Sequence, residues 1–264
     1  MGKIQLIIAL AMAAFSLFSY YGSTSVNPVT GEKQRVAGIS PKQEVQMGLQ
    51  AAREMAAQMG GLSNNPQARE LVARVGARLA QTPLAQKSGY PFRFHVLADP
   101  RTVNAFALPG GQIFITMALL TRLETEGQLA GVLGHEIGHV VARHSAERIA
   151  KAQFQQGLTG AFAIGTGSME AAQISNMVGQ MLMLKYSRED EYEADDLGVR
   201  VMTEANYDPR AMIGVMRILE RASGGGGRIP EWASTHPDVA NRILRLEKIL
   251  RERYPQGVLR GVTP

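Results

Sequence analysis

The stretch TEGQLAGVLGHEIGHVV, Thr125 to Val141, decides how this chain is read. Thr125 can cap a helix whose first turn carries Glu126 and Gln128. Leu129, Val132, Leu133 and Val140 then recur at helical spacing, in a helix expected to run to about Ala150. Within it, His135-Glu136-Ile137-Gly138-His139 places two imidazoles four residues apart, on one face and about one turn from each other. Both can then reach one metal ion at ~2.0–2.1 Å, and Glu136 is placed to take a proton from a water and return it to a leaving amine. Gly134 and Gly138 cost such a helix ~1 kcal/mol each, a cost that makes sense where another element must approach closely.

A catalytic zinc needs a third protein ligand. His144 lies about 140° around an ideal helix from His139, so it cannot share the ion, and it reads as a polar-face histidine or as one that supports a ligand from behind. A metzincin would place a glycine and a histidine where this chain has Ala142 and Ser145, so that class is excluded. The better source is the acidic run Glu189-Asp190-Glu191-Tyr192-Glu193-Ala194-Asp195-Asp196, whose crowded carboxylates repel one another unless a cation lies near. Glu191 and Asp195 share a helix face, so Glu191 can ligate while Asp195 accepts a hydrogen bond from a ligand histidine.

Outward from these segments the chain reads as mainly helical α+β. Ser40-Pro41 opens a helix that stops at Gly60-Gly61, and Asn65-Pro66 opens a second with Leu71, Val72, Val75 and Leu79 on one face. Between Phe92 and Thr116 the period becomes two, and Gly110-Gly111 joins two β-prone runs into a small antiparallel sheet. Residues 155–168 read as a loop or weak helix, Glu170 to Glu204 as a long helix, Gly224 to Gly227 as a loop, and Pro237 to Tyr254 as an amphipathic helix with Val239, Ile243, Leu246 and Leu250 inward.

Composition narrows the classes. The absence of cysteine removes disulfides, thiol catalysis, Cys-ligated zinc and a lipid-attachment cysteine. A net charge of +5, without a Lys/Arg tract, argues against nucleic acid as partner. Lys3 followed by an apolar run to Phe18 reads as an export signal or an uncleaved N-terminal membrane anchor. The expected organisation is therefore a signal or anchor over 1–22, a linker over 23–39, a catalytic domain over 40–255 and a tail over 256–264.

Four segments together carry a resemblance: Asn104-Ala105-Phe106-Ala107-Leu108-Pro109-Gly110-Gly111, the His135–His139 pentapeptide, Tyr186-Ser187-Arg188 leading to Asp195, and Thr235-His236-Pro237 with Arg242. Over roughly residues 40–250 the chain resembles the zinc metalloendopeptidase family of the CAAX prenyl endopeptidase and HtpX, nearest its soluble periplasmic BepA-like and Oma-like branch. The resemblance implies a zincin-like catalytic core of the gluzincin type with one zinc per chain, held by His135, His139 and Glu191, and Asp195 orienting a histidine. It implies that Asn104, Ala105, Phe106 and Ala107 lie on an edge strand to which substrate adds in extended form, that His236 can latch the fourth zinc position, and that Arg242 stabilises an oxyanion. His236 also reads as a helix-capping residue before Pro237. The expected activity is cleavage of unfolded or misassembled envelope proteins by an exported, periplasmic or membrane-tethered enzyme. A latched, rarely cutting, chaperone-like module is the alternative.

Overall fold

A computed structural model describes residues 3–166, 186–224 and 230–255 of the 264-residue chain. These fall into two compact units, one formed by the N-terminal 40 residues with the segment from His144 onward, the other by 41–143 with the described residues after 185.

In the first unit, α1 (Lys3–Gly22) is followed by β1 (Thr24–Val26) and β2 (Lys33–Arg35), which pair antiparallel within the stretch read as a linker. Helix α1 packs along α7 (His144–Thr166). A Cβ at Gly157 would lie 2.1 Å from Ser16 Oγ, so glycine is what allows this approach. Tyr20 stacks on Phe154 at 4.7 Å, and the Arg35 amide donates to Glu147 at 2.6 Å. Among the described residues, α1 alone is long and apolar enough to cross a membrane by length and composition.

The second unit contains α2 (Pro41–Gln58), α3 (Pro66–Ala80), α4 (Pro83–Lys87), β3 (Arg93–Leu97), β4 (Ala105–Leu108), β5 (Gln112–Thr116), α5 (Met117–Leu120), α6 (Glu126–Val141), α8 (Arg188–Glu204), α9 (Ala211–Gly224), α10 (Glu231–Thr235) and α11 (Val239–Arg253). Asn65 caps α3 by accepting from the Ala68 amide, with Pro66 at its first turn, and Val72, Val75 and Leu79 are buried as the periodicity predicts. Thr125 caps α6 in the same way, through the Gln128 amide. Every residue of α6 from Gly127 to Val141 is buried, so this helix is enclosed on all sides rather than amphipathic. It packs against α3, α8, α9 and β4.

The sheet has the order β3-β5-β4. Strands β4 and β5 form the expected antiparallel hairpin, with Gly110 and Gly111 at φ 75° and 99°, a left-handed turn that glycine adopts without a Cβ penalty. Strand β3 runs parallel to β5, which makes the sheet mixed, and β4 is left as an edge strand. The side chains of β4 and β5 are buried on both faces.

Two helix boundaries differ from the sequence reading. Helix α6 ends at Val141 instead of near Ala150, because Arg143 has φ 63° and an L-residue in that region cannot continue a right-handed helix. The helix expected from Glu170 begins, as described, at Arg188, behind a capping box in which Ser187 and Asp190 exchange side-chain and backbone hydrogen bonds of 3.1 and 3.0 Å. The Glu170–Leu184 part of that expectation, most of the Gly224–Gly227 loop and the tail lie outside the described residues. The segment 155–166 is helical, as the end of α7.

Candidate metal centre

Helix α6 supplies His135 and His139, and their Nε2 atoms lie 3.0 Å apart. Helix α8 crosses α6 at Gly138, where a Cβ would stand 2.6 Å from the Ala194 carbonyl oxygen. Only glycine permits that approach, and it is the approach that carries Glu191, one turn before Asp195, into the site. Glu191 Oε2 is 3.5 Å from His135 Nε2, and Glu191 Oε1 is 3.5 Å from His139 Nε2. His236, between α10 and α11, places Nδ1 2.9 Å from Glu191 Oε1 and 3.2 Å from His135 Nε2. One ligand atom from each of these four residues falls within 4.8 Å of every other, and all four residues are buried.

Around this cluster the side chains are held in place. His135 Nδ1 is 3.0 Å from Asp195 Oδ1, which turns Nε2 toward the other donors. Tyr186 stacks on the His139 ring with centroids 3.9 Å apart, and Trp232 stacks on His236 at 4.6 Å. The Trp232 indole N–H donates to Glu136 Oε1 at 3.2 Å, while Glu136 Oε2 is buried without a hydrogen-bond partner. Trp232 and Tyr186 were not assigned site roles by the sequence reading. The signal was there, since Trp232 is the chain's single tryptophan and lies four residues before His236.

Arg242 reaches the cluster from α11 and is fully buried. Its Nε and Nη2 donate to the two oxygens of Asp195 at 2.8 and 2.6 Å. Its Nη1 stands 2.6 Å from Glu191 Oε2 as an ion pair, without hydrogen-bond geometry. On this helix the buried positions are Arg242, Leu246, Ile249 and Leu250, while Val239 and Ile243 are only half-buried. The inward face is therefore rotated from the one expected, so that an arginine can meet two carboxylates.

The electrostatics follow from burial and these contacts. Burial opposes ionisation of Glu191, but the charges of His236 and Arg242 and hydrogen bonds from His135 and His139 hold its carboxyl well below the usual range. Burial likewise opposes ionisation of Asp195, and Arg242 outweighs it. For His135, burial and the Arg242 charge push downward, but its hydrogen bonds to Asp195 and Glu191 prevail and carry it up to about 9.

Two imidazoles, a carboxylate held ionised and a third imidazole form a nitrogen and oxygen donor set suited to zinc. Glu191 Oε2 makes no directional hydrogen bond but lies 2.6 Å from Arg242 Nη1, a charge that keeps the carboxyl in the ionised form a metal ligand needs. Of the remaining residues singled out from sequence, Asn104 precedes β4, Ala105, Phe106 and Ala107 lie on it, and all four are buried. His144 opens α7 beyond the left-handed Arg143 and is not a member of the donor cluster.

The mainly helical α+β fold and this donor set define a zincin-like metallopeptidase domain. The model of peptidase family M48 matches residues 65–250, and the chain belongs to that family. It is 38% identical over 167 residues to the mitochondrial metalloendopeptidase OMA1 of Schizosaccharomyces pombe, covering 62% of this chain and 48% of that protein. It is 30% identical over 229 residues to the beta-barrel assembly-enhancing protease of Escherichia coli, covering 83% and 46%. The mitochondrial metalloendopeptidase OMA1 of Saccharomyces cerevisiae is 34% identical over 177 residues, covering 64% and 51%. The chain thus spans about half the length of the curated relatives it matches. The matched region is a zinc metalloendopeptidase domain.

Proposed function

We propose that this protein is an endopeptidase in which His135, His139 and Glu191 hold one zinc ion and Glu136 is the general base. The observation that carries this reading is the buried set of four ligand atoms within 4.8 Å, beside a glutamate whose Oε2 has no hydrogen-bond partner. When bound, zinc supplies Lewis acidity that polarises a scissile carbonyl and lowers the pKa of a water to ~7. Glu136, fixed through Oε1 by Trp232, takes the proton of the attacking water on Oε2 and passes it to the departing amine. Asp195 keeps the His135 tautomer that presents Nε2 to the ion. Arg242 holds Asp195 by two hydrogen bonds and Glu191 by an ion pair, and its buried positive charge beside the cluster would steady a developing oxyanion.

Substrate would lie extended along β4, with backbone pairing beside Asn104, Ala105, Phe106 and Ala107 giving recognition that tolerates varied side chains. That mode suits unfolded or misassembled envelope proteins. The name of the Escherichia coli relative, a β-barrel assembly-enhancing protease, supports an envelope setting, and α1 supports an exported protein in the periplasm, tethered to the inner membrane through that helix or released from it. The test is zinc content together with casein cleavage. Cleavage should vanish with a chelator and return on adding zinc, and cleavage untouched by chelation would overturn the proposal.

A second reading, a chaperone-like module that captures clients and cuts rarely, is favoured by the position of His236. Its Nδ1 already sits within the donor cluster, and its Nε2 is 3.7 Å from Glu136 Oε1. His236 would then fill the position a substrate carbonyl needs. His236→Ala is expected to raise casein cleavage several-fold while client binding persists, measured by a steady-state rate and a pull-down. A rate equal to or below wild type would remove the latch.

A further inference from the structure

The buried acid Glu44 has no part in the chemistry above. It sits on α2, ahead of the residues the family match covers, and is 1% exposed. Arg143 donates to Glu44 Oε1 through Nε at 2.7 Å and stands 2.5 Å away through Nη2, and the Tyr90 hydroxyl donates to the same oxygen at 3.0 Å. Burial pushes the Glu44 carboxyl upward, against the lowering effect of Arg143, so the pair exists because the fold brings it together rather than because a buried acid is favourable there.

Both ends of this contact lead to the site. Arg143 follows α6 by two residues, in the left-handed conformation that stops the helix one turn after His139. Helix α2, which carries Glu44, is fitted onto the turn between β4 and β5 without space to spare. A Cβ at Gly48 would stand 1.9 Å from the Pro109 carbonyl oxygen, and one at Gly110 would stand 2.4 Å from Val45 Cα. Helix α2 therefore bridges the end of the metal-binding helix and the turn that closes the edge strand.

We propose that Glu44 is a positioning residue: through Arg143 on one side and the Pro109–Gly110 turn on the other, it sets β4 at its working distance from the metal helix. The substrate part of this inference rests on β4 being the strand to which substrate adds, while the mechanical coupling stands independently. Glu44 touches no reacting atom. Its loss should loosen the strand rather than empty the site.

The test compares wild type with Glu44→Gln and Gly48→Ala. The second variant keeps the acid but forces α2 off the turn, and so tests the link if the first folds poorly. Three quantities are read: zinc per chain, amide hydrogen exchange of Ala105–Leu108, and kcat and KM on casein and on a short fluorogenic peptide. The expected result is one zinc per chain in each variant and exchange over β4 faster by roughly tenfold, as for a local opening. KM on casein should rise about tenfold, since a displacement of about an ångström is costly, with a smaller change on the short peptide, which needs less of the strand. Unchanged exchange in both variants overturns the proposal. So does exchange that accelerates over α6 and α8 as much as over β4, because that describes a general loss of stability. If wild type shows no zinc-dependent cleavage, the peptidase reading fails, and selective acceleration over β4 still upholds the coupling.

Discussion

Glu136→Gln is expected to lower kcat by about 10²–10⁴-fold with zinc content unchanged, the range that removal of a positioned general base produces. The substitution separates chemistry from architecture. Glutamine has the size of glutamate, and its carbonyl oxygen can still accept the Trp232 indole N–H that now reaches Oε1. The lost property is the ability of Oε2 to accept a proton. Glu136 is not among the four clustered donors, so metal retention should be complete. Thermal stability should be equal or slightly higher, because a carboxylate buried with an unpartnered oxygen is costly and a neutral amide less so. Single-turnover cleavage with metal analysis on the same samples checks this, and a variant cutting at the wild-type rate would remove Glu136 from the mechanism.

Arg242→Met should produce the second large effect, and on a different quantity. With the guanidinium gone, Asp195 loses two hydrogen bonds and Glu191 its nearest cation, in a region with no solvent to compensate. Breaking a buried pair by removing one partner typically costs ~3–5 kcal/mol, and here one cation serves two carboxylates. The metal-free protein should lose about that much in denaturant unfolding, whereas the zinc-loaded protein should lose less, because the ion brings positive charge to Glu191. Arg242→Lys should fall between, since an ammonium keeps the charge but cannot span both oxygens of Asp195 as the Nε and Nη2 fork does. Equal losses with and without zinc would mean that Arg242 does not share Glu191 with the metal.

Much of helix α6 was legible because its signals are local. The cap at Thr125, the spacing of His135 and His139 and the two glycines act within a few turns of one chain segment, where helix geometry sets the outcome. Glu191 and Asp195 were reachable for the same reason, as two acids four apart in an otherwise repulsive cluster. The end of α6 was not legible. Residues 142–150 have no breaker, and the helix stops because Arg143 turns toward Glu44, 99 positions earlier in the chain. The inward face of α11 is not legible either, for periodicity selects apolar residues and gives no weight to an arginine whose two carboxylate partners arrive on another helix.

By itself, then, the sequence determined the class of chemistry: which side chains are able to bind a metal, and that His135, His139 and Glu191 sit on helices. Only the tertiary structure decided how those helices meet. The Gly138–Ala194 crossing that delivers Glu191, the indole contact that fixes Glu136, and the bridge from Glu44 to the edge strand join residues dozens of positions apart. Helix period and capping act over a few residues, but such contacts depend on shape and charge matching between surfaces that exist only once the elements have packed.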